Sequence, residues 1–109
     1  MMELNSLCYV YLINLELSIK NNSLFEERLG RIIDIQSIDV VGKNNYKAIK
    51  YIVEGVTGKR MEVNNDFNQL FKIAPVSEVI KTVEKLLKEE KITQEDCDKM
   101  MELINKHKR

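Results

Sequence analysis

The sequence predicts an α+β fold: an antiparallel sheet of about four strands, strongly bent or small-barrel-like, followed by a C-terminal αα-hairpin. Three observations predict it. Apolar residues recur with a two-residue period in several runs before residue 64, and Asn- and Gly-containing turns separate those runs. Two capped runs with a 3.6-residue period follow residue 76. Pro75, the only proline, stands between the two regions, giving a β-rich segment over 1–75 and a helical hairpin over 76–109.

The first strand is expected over Leu7–Ile19. Leu7, Tyr9, Tyr11, Ile13, Leu15, Leu17 and Ile19 occupy successive odd positions, which places them on one face. Leu4, Leu7, Cys8, Tyr11, Leu12 and Leu15 also fit a helical period; Tyr, Val and Ile favour the strand. Ser23 with Glu26 forms a capping box for a short helix over 24–29, with Gly30 at its end. Residues 31–41 form a second strand, in which a bulge near Gln36-Ser37 would bring Ile33, Ile35, Ile38 and Val40 to one face. A turn over 42–45, a strand over 46–54, a turn over 55–58 and a strand over 59–63 follow, making a meander. Asp66 caps a short helix carrying Phe67, Leu70 and Phe71. Ser77 opens a helix to about Glu90 with Val79, Ile80, Val83, Leu86 and Leu87 in its stripe. Thr93 opens another, with Cys97, Met100, Met101 and Ile104 in its stripe. The expected core is Tyr9, Tyr11, Ile13, Leu15, Ile33, Ile35, Ile49, Tyr51, Val53, Phe67, Phe71, Val79, Val83 and Leu86.

Composition excludes several function classes. The chain has 109 residues and balances 17 Lys and Arg against 17 Asp and Glu. That suits one modest globular core and neither a strongly basic nucleic-acid binder nor an acidic disordered chain. Cys8 and Cys97 are too few and too far apart for a disulfide scaffold. The apolar run beginning at Leu7 is too short to span a bilayer and lacks the flanks of a signal peptide. A cytoplasmic protein with no membrane partner is expected. Lys outnumbers Arg 13 to 4, with 12 Ile and 10 Asn, the usage of an AT-rich bacterial or phage genome.

No motif carries catalysis. Gly58-Lys59 has Val53 where a phosphate loop needs Gly, and Arg60 where it needs Ser or Thr. His107 is the only histidine and lies near the C-terminal end, so a His-based triad or multi-His metal site is not available. Glu95, Asp96 and Asp98 cluster at a helix start, where capping and the helix dipole explain them. No catalytic, cofactor or metal residue is therefore assigned, and no enzyme is expected.

Charge is unevenly spread. Residues 1–39 hold three basic and six acidic side chains (net −3), residues 40–72 six and three (net +3), and residues 73–109 eight of each. Lys43, Lys47, Lys50, Lys59 and Arg60, with Tyr46 and Tyr51 interleaved, are the candidate partner-binding residues. Lys and Tyr on one sheet face suit phosphates and stacked bases. Leu86, Leu87, Ile92, Met100, Met101 and Ile104 are the candidate interface of a self-associating hairpin, Met being adaptable at binding surfaces.

The segment Leu86-Leu87-Lys88-Glu89-Glu90-Lys91-Ile92-Thr93-Gln94-Glu95-Asp96, with Met100 to Ile104 beyond it, resembles the short bacterial C-terminal helical hairpin called SHOCT. It departs from that family in having Glu90-Lys91 where the turn usually has Gly, and Cys97 where Phe or Tyr is usual. The resemblance covers about a quarter of the chain and implies a tail for oligomerisation or partner contact, without catalysis. The expected function is a small non-enzymatic interaction protein (adaptor, regulator or inhibitor) docking on a protein partner, with a homodimer as one version. The alternative is a nucleic-acid-binding regulator acting through residues 43–60.

Overall fold

The computed structural model describes residues 2–42, 46–64 and 70–108. Ten elements follow in chain order: β1 (Leu7–Leu12), α1 (Leu15–Lys20), a 3₁₀ turn (Asn22–Leu24), α2 (Phe25–Arg28), β2 (Leu29–Val40), β3 (Tyr46–Gly55), β4 (Arg60–Asn64), β5 (Phe71–Pro75), α3 (Val76–Lys88) and α4 (Gln94–His107). The strands form one antiparallel sheet in the order β4-β3-β2-β1-β5. The α+β class is as expected, with β5 as a fifth strand where the sequence suggested a short helix reaching Phe71.

β1 is the strand that both neighbours bury. Its odd side chains, Leu7 and Tyr9, join a core with Ile19, Phe25, Leu29, Ala74, Val79, Val83, Leu86, Ile92, Cys97, Met100 and Ile104. Helices therefore cover that face, and the C-terminal hairpin shares one core with the sheet. The even side chains, Cys8 and Val10, join a second core with Ile32, Tyr51, Val53 and Val63, and among the described residues no helix side chain enters it. This face is closed by curvature: β4 and β5, the two ends of the sheet order, approach each other without pairing. Gly30 permits the bend, because a Cβ there would lie 2.6 Å from the Glu54 carbonyl oxygen and 2.7 Å from Val53 Cγ1.

The expected long first strand ends early. Ile13 has a left-handed φ of 67°, and Asn14 N–H donates back to the Leu12 carbonyl at 2.7 Å. The Asn14 side chain then caps α1 by accepting from Leu17 N–H at 3.1 Å. Once residues 15–20 are helical, Ile19 turns inward and Leu17 outward, where it is 59% exposed. Three expected core residues are surface instead: Ile13 is 64% exposed, Ile33 38% and Phe71 38%. Ile33 is displaced because the β2 bulge falls between Ile32 and Asp34, not near Gln36-Ser37. Phe67 lies outside the described residues.

Beyond Ile32, β2 keeps only β3 as a described partner, and past Gln36, where β4 no longer pairs with β3, the two strands project as a ribbon. The open edge of β2 is blunted by Asp34, whose carboxylate accepts from Ile35 N–H and from Gln36 Nε2, both at 2.9 Å. At the other end of the molecule, Arg31 donates to the carbonyls of Asn5 and His107 and so holds the last turn of α4.

The hairpin turn is a Schellman motif. Lys91 N–H donates to Leu86 and Glu90 N–H to Leu87, at 2.9 and 3.0 Å, with Glu90 at φ 58°. Thr93 caps α4 as expected, accepting from Asp96 N–H at 3.1 Å. Glycine normally occupies the left-handed position that Glu90 fills. Glu90→Gly is therefore expected to stabilise the fold by about 0.5–1 kcal/mol, part of the left-handed penalty being offset by glycine's freer unfolded chain. Thermal unfolding checks this as a rise of a few degrees in Tm.

Burial pushes the Cys8 thiol up to about 12, with the nearby Arg31 charge opposing more weakly. Between the ordinary value of 9.0 and about 12, the unfolded chain loses this proton while the folded chain keeps it. Its contribution to stability is thus complete below pH 9 and is lost as pH rises through that window, at up to ~1.4 kcal/mol per pH unit. Urea unfolding at pH 8 and pH 10 is expected to show a steeper alkaline loss for the wild type than for Cys8→Ala.

Candidate functional site

The most distinctive surface surrounds the end of β1, α1 and α2. Eight large apolar side chains are conspicuously exposed among the described residues. Five of them, Ile13, Leu17, Leu24, Leu70 and Phe71, gather here. Ile13, Leu17 and Leu24 line one depression together with Tyr9 and Arg28. Leu24, Arg28 and Phe71 line the next, whose floor is Val10 and Met61 at the mouth of the curved sheet. Ile13 and Leu17 continue into a third depression bounded by Lys20, Leu86 and Lys91. Shared residues make the three depressions one groove.

Each wall has a local cause. Asn14 caps α1, and the helical turn swings Leu17 outward as it drives Ile19 inward. The left-handed Ile13 holds its side chain in solvent, while its N–H donates to the Leu70 carbonyl at 3.2 Å and extends the β1–β5 ladder. Tyr9 forms the inner wall: its ring stacks on Phe25 at 5.0 Å between centroids, and its hydroxyl hydrogen-bonds Ser18 at 3.1 Å. Burial raises the Tyr9 phenol above its usual value. The Arg28 guanidinium sits over the Phe71 ring, 5.6 Å from its centroid.

Charges around the groove are unequally satisfied. Glu16 is bound by Lys85 from α3 at 2.5 Å, which lowers the Glu16 carboxyl and raises the Lys85 ammonium. Glu62 pairs with Lys50 at 3.0 Å, and Lys91 with Glu89 at 3.3 Å. Lys20, Arg28, Lys59 and Glu27 have no such ion pair among the described residues.

The basic residues singled out from the sequence are not gathered on one face. Lys43 lies outside the described residues. Lys47 stands opposite Asp39 on one face of the sheet, and Arg60 opposite Glu54 on the other, where Lys50 also lies. Tyr51 is buried in the second core and offers no ring to a base. Only Lys59 borders the groove. In the hairpin, Leu86, Ile92, Met100 and Ile104 are buried against the sheet, leaving Leu87 and Met101 half-buried. Self-association through the buried four would require the hairpin to leave its core.

The groove itself went unseen in the sequence because its residues read as core of a strand and of a helix. One signal was present: Asn14 follows Ile13 directly, and Asn before a Leu/Glu run is a helix start. Among the described residues, no group of three or more His, Cys, Asp or Glu side chains is placed to hold a metal ion. No helix among them is long and apolar enough to cross a membrane.

A β-branched residue held left-handed and exposed costs stability. Ile13→Asn, a residue that adopts this conformation readily, is expected to raise stability by about 1 kcal/mol. Chemical denaturation would check it as a higher midpoint with an unchanged slope.

No family model matches the chain, and no match is found among curated proteins or solved structures.

Proposed function

We propose that the protein is a small, non-enzymatic docking protein that binds a protein partner through the groove of Ile13, Leu17, Leu24 and Phe71. The observation that carries this reading is the concentration of exposed apolar side chains in one continuous strip, held there partly by a strained backbone. Isolated exposed apolar residues are ordinary, whereas a contiguous strip rimmed by charge marks an interaction surface. Strain retained at a surface position is consistent with a role other than stability.

The shape supports a protein partner over a small molecule. The depression beside Phe71 has a volume of about 270 Å³, at the low end for small-molecule sites, and it continues into its neighbours without enclosing a cavity. The nucleic-acid reading draws less support, because Lys47 stands opposite Asp39, Lys50 pairs with Glu62, Arg60 stands opposite Glu54, and Tyr51 is buried.

A photoreactive phenylalanine analogue placed at Leu24 tests the reading in the cells that naturally make the protein. Position Val41, 85% exposed on the ribbon, is the control. One discrete protein adduct from Leu24, absent from Val41 and abolished by Leu17→Asp, is expected. Adducts only from the ribbon, or salt-sensitive DNA or RNA binding unaffected by Leu17→Asp, would overturn it.

A further inference from the structure

We propose that the groove takes an acidic, amphipathic segment of its partner. In this arrangement aliphatic side chains rest on Ile13, Leu17 and Leu24, and carboxylates reach Lys20, Arg28 and Lys59. This rests on the docking reading above and adds the chemistry of the occupant.

The argument is one of charge left over. Seven charged side chains line the groove: Glu16, Lys20, Glu27, Arg28, Lys59, Glu62 and Lys91. Two of the three acids are already committed, Glu16 to Lys85 and Glu62 to Lys50. Of the four cations only Lys91 has an ion-pair partner among the described residues, Glu89. Three cations against Glu27 remain, so the strip presents apolar surface edged by net positive charge. A basic partner would meet repulsion here, and a purely apolar one would leave the cations without carboxylates as it excludes water from them. Arg28 is further prepared by its stacking on Phe71, which fixes the guanidinium at the groove's rim. Carboxylates interleaved with aliphatic residues satisfy both features, with the aliphatic residues supplying most of the affinity and the charges the specificity.

A randomised peptide library displayed on phage supplies the probe. It is panned against the full chain and counter-selected against the Leu17→Ser/Leu24→Ser variant, whose substitutions are on the surface. The expected consensus combines Leu, Ile or Phe with Glu or Asp. A synthetic peptide of that consensus is expected to bind roughly tenfold more weakly to Lys20→Glu/Lys59→Glu, and to weaken with added salt. Thermal unfolding of each variant confirms that the fold is retained. Peptides that need Leu17 and Leu24 but carry neutral or basic residues would overturn the acidic occupant and leave the docking reading standing. Failure to enrich any peptide that depends on Leu17 and Leu24 would overturn both. A concentration-dependent dimer of the chain alone, broken by Leu24→Asp, would assign the groove to a second copy and equally overturn the proposal.

Discussion

Everything in this fold hangs on the burial of β1 from both sides. A strand with two apolar faces must be covered twice, and the chain does so by different means. Leu7 and Tyr9 are covered by helices, whereas Cys8 and Val10 are covered by the sheet curling over itself. The first solution requires the C-terminal hairpin, since Val79, Val83, Leu86 and Ile104 supply much of that layer. The second requires Gly30, because any side chain there would collide with β3 backbone. Removing a large side chain from either layer leaves a cavity costing about 2–5 kcal/mol, a large part of the stability of a domain this size. The sheet and the hairpin are therefore coupled through the strand they share.

That coupling explains which features were legible in the sequence. The meander of β2, β3 and β4 was legible because its turns carry Gly and Asn and its strands alternate. The hairpin was legible because Thr93 and Asp96 form a true cap and the stripes repeat at 3.6 residues. Leu15-Glu16-Leu17-Ser18-Ile19 was not, because a two-residue alternation and an i, i+4 pair both fit it. Asn14 as a cap decides between them, and its effect is visible only in the hydrogen bond to Leu17. β5 was hidden for another reason: five residues ending in proline have no local demand to be a strand. They become one because Tyr9, Val10 and Leu12 leave an unpaired edge on β1 that Ala74, Ile73 and Phe71 satisfy.

The groove is a product of the same tertiary decisions. β1 must stop where the edge of the packed sheet is reached, and the chain stops it with a tight left-handed turn at Ile13 followed by a capped helix. Stopping there turns residues with strand-like alternation outward, so a sequence feature that reads as core becomes surface. Beyond the helix-start signal of Asn14, no local pattern distinguishes the two outcomes for Ile13, and none does so for Phe71.

The zero net charge of the chain conceals a similar redistribution. Acids and bases are equal in number, yet they are not equally engaged. β3 commits Lys50 to Glu62 of β4, and α1 commits Glu16 to α3 through Lys85. Surface pairs of this kind contribute little to stability, typically under about 1 kcal/mol. Their larger consequence is local: each acid tied up beside the groove leaves a cation there without a counterpart. A neutral protein thereby acquires a groove edged with net positive charge, at the end of the strand that its two cores share. A rigid mount matters for recognition, because side chains fixed before contact lose less freedom on binding than those that must be ordered by it.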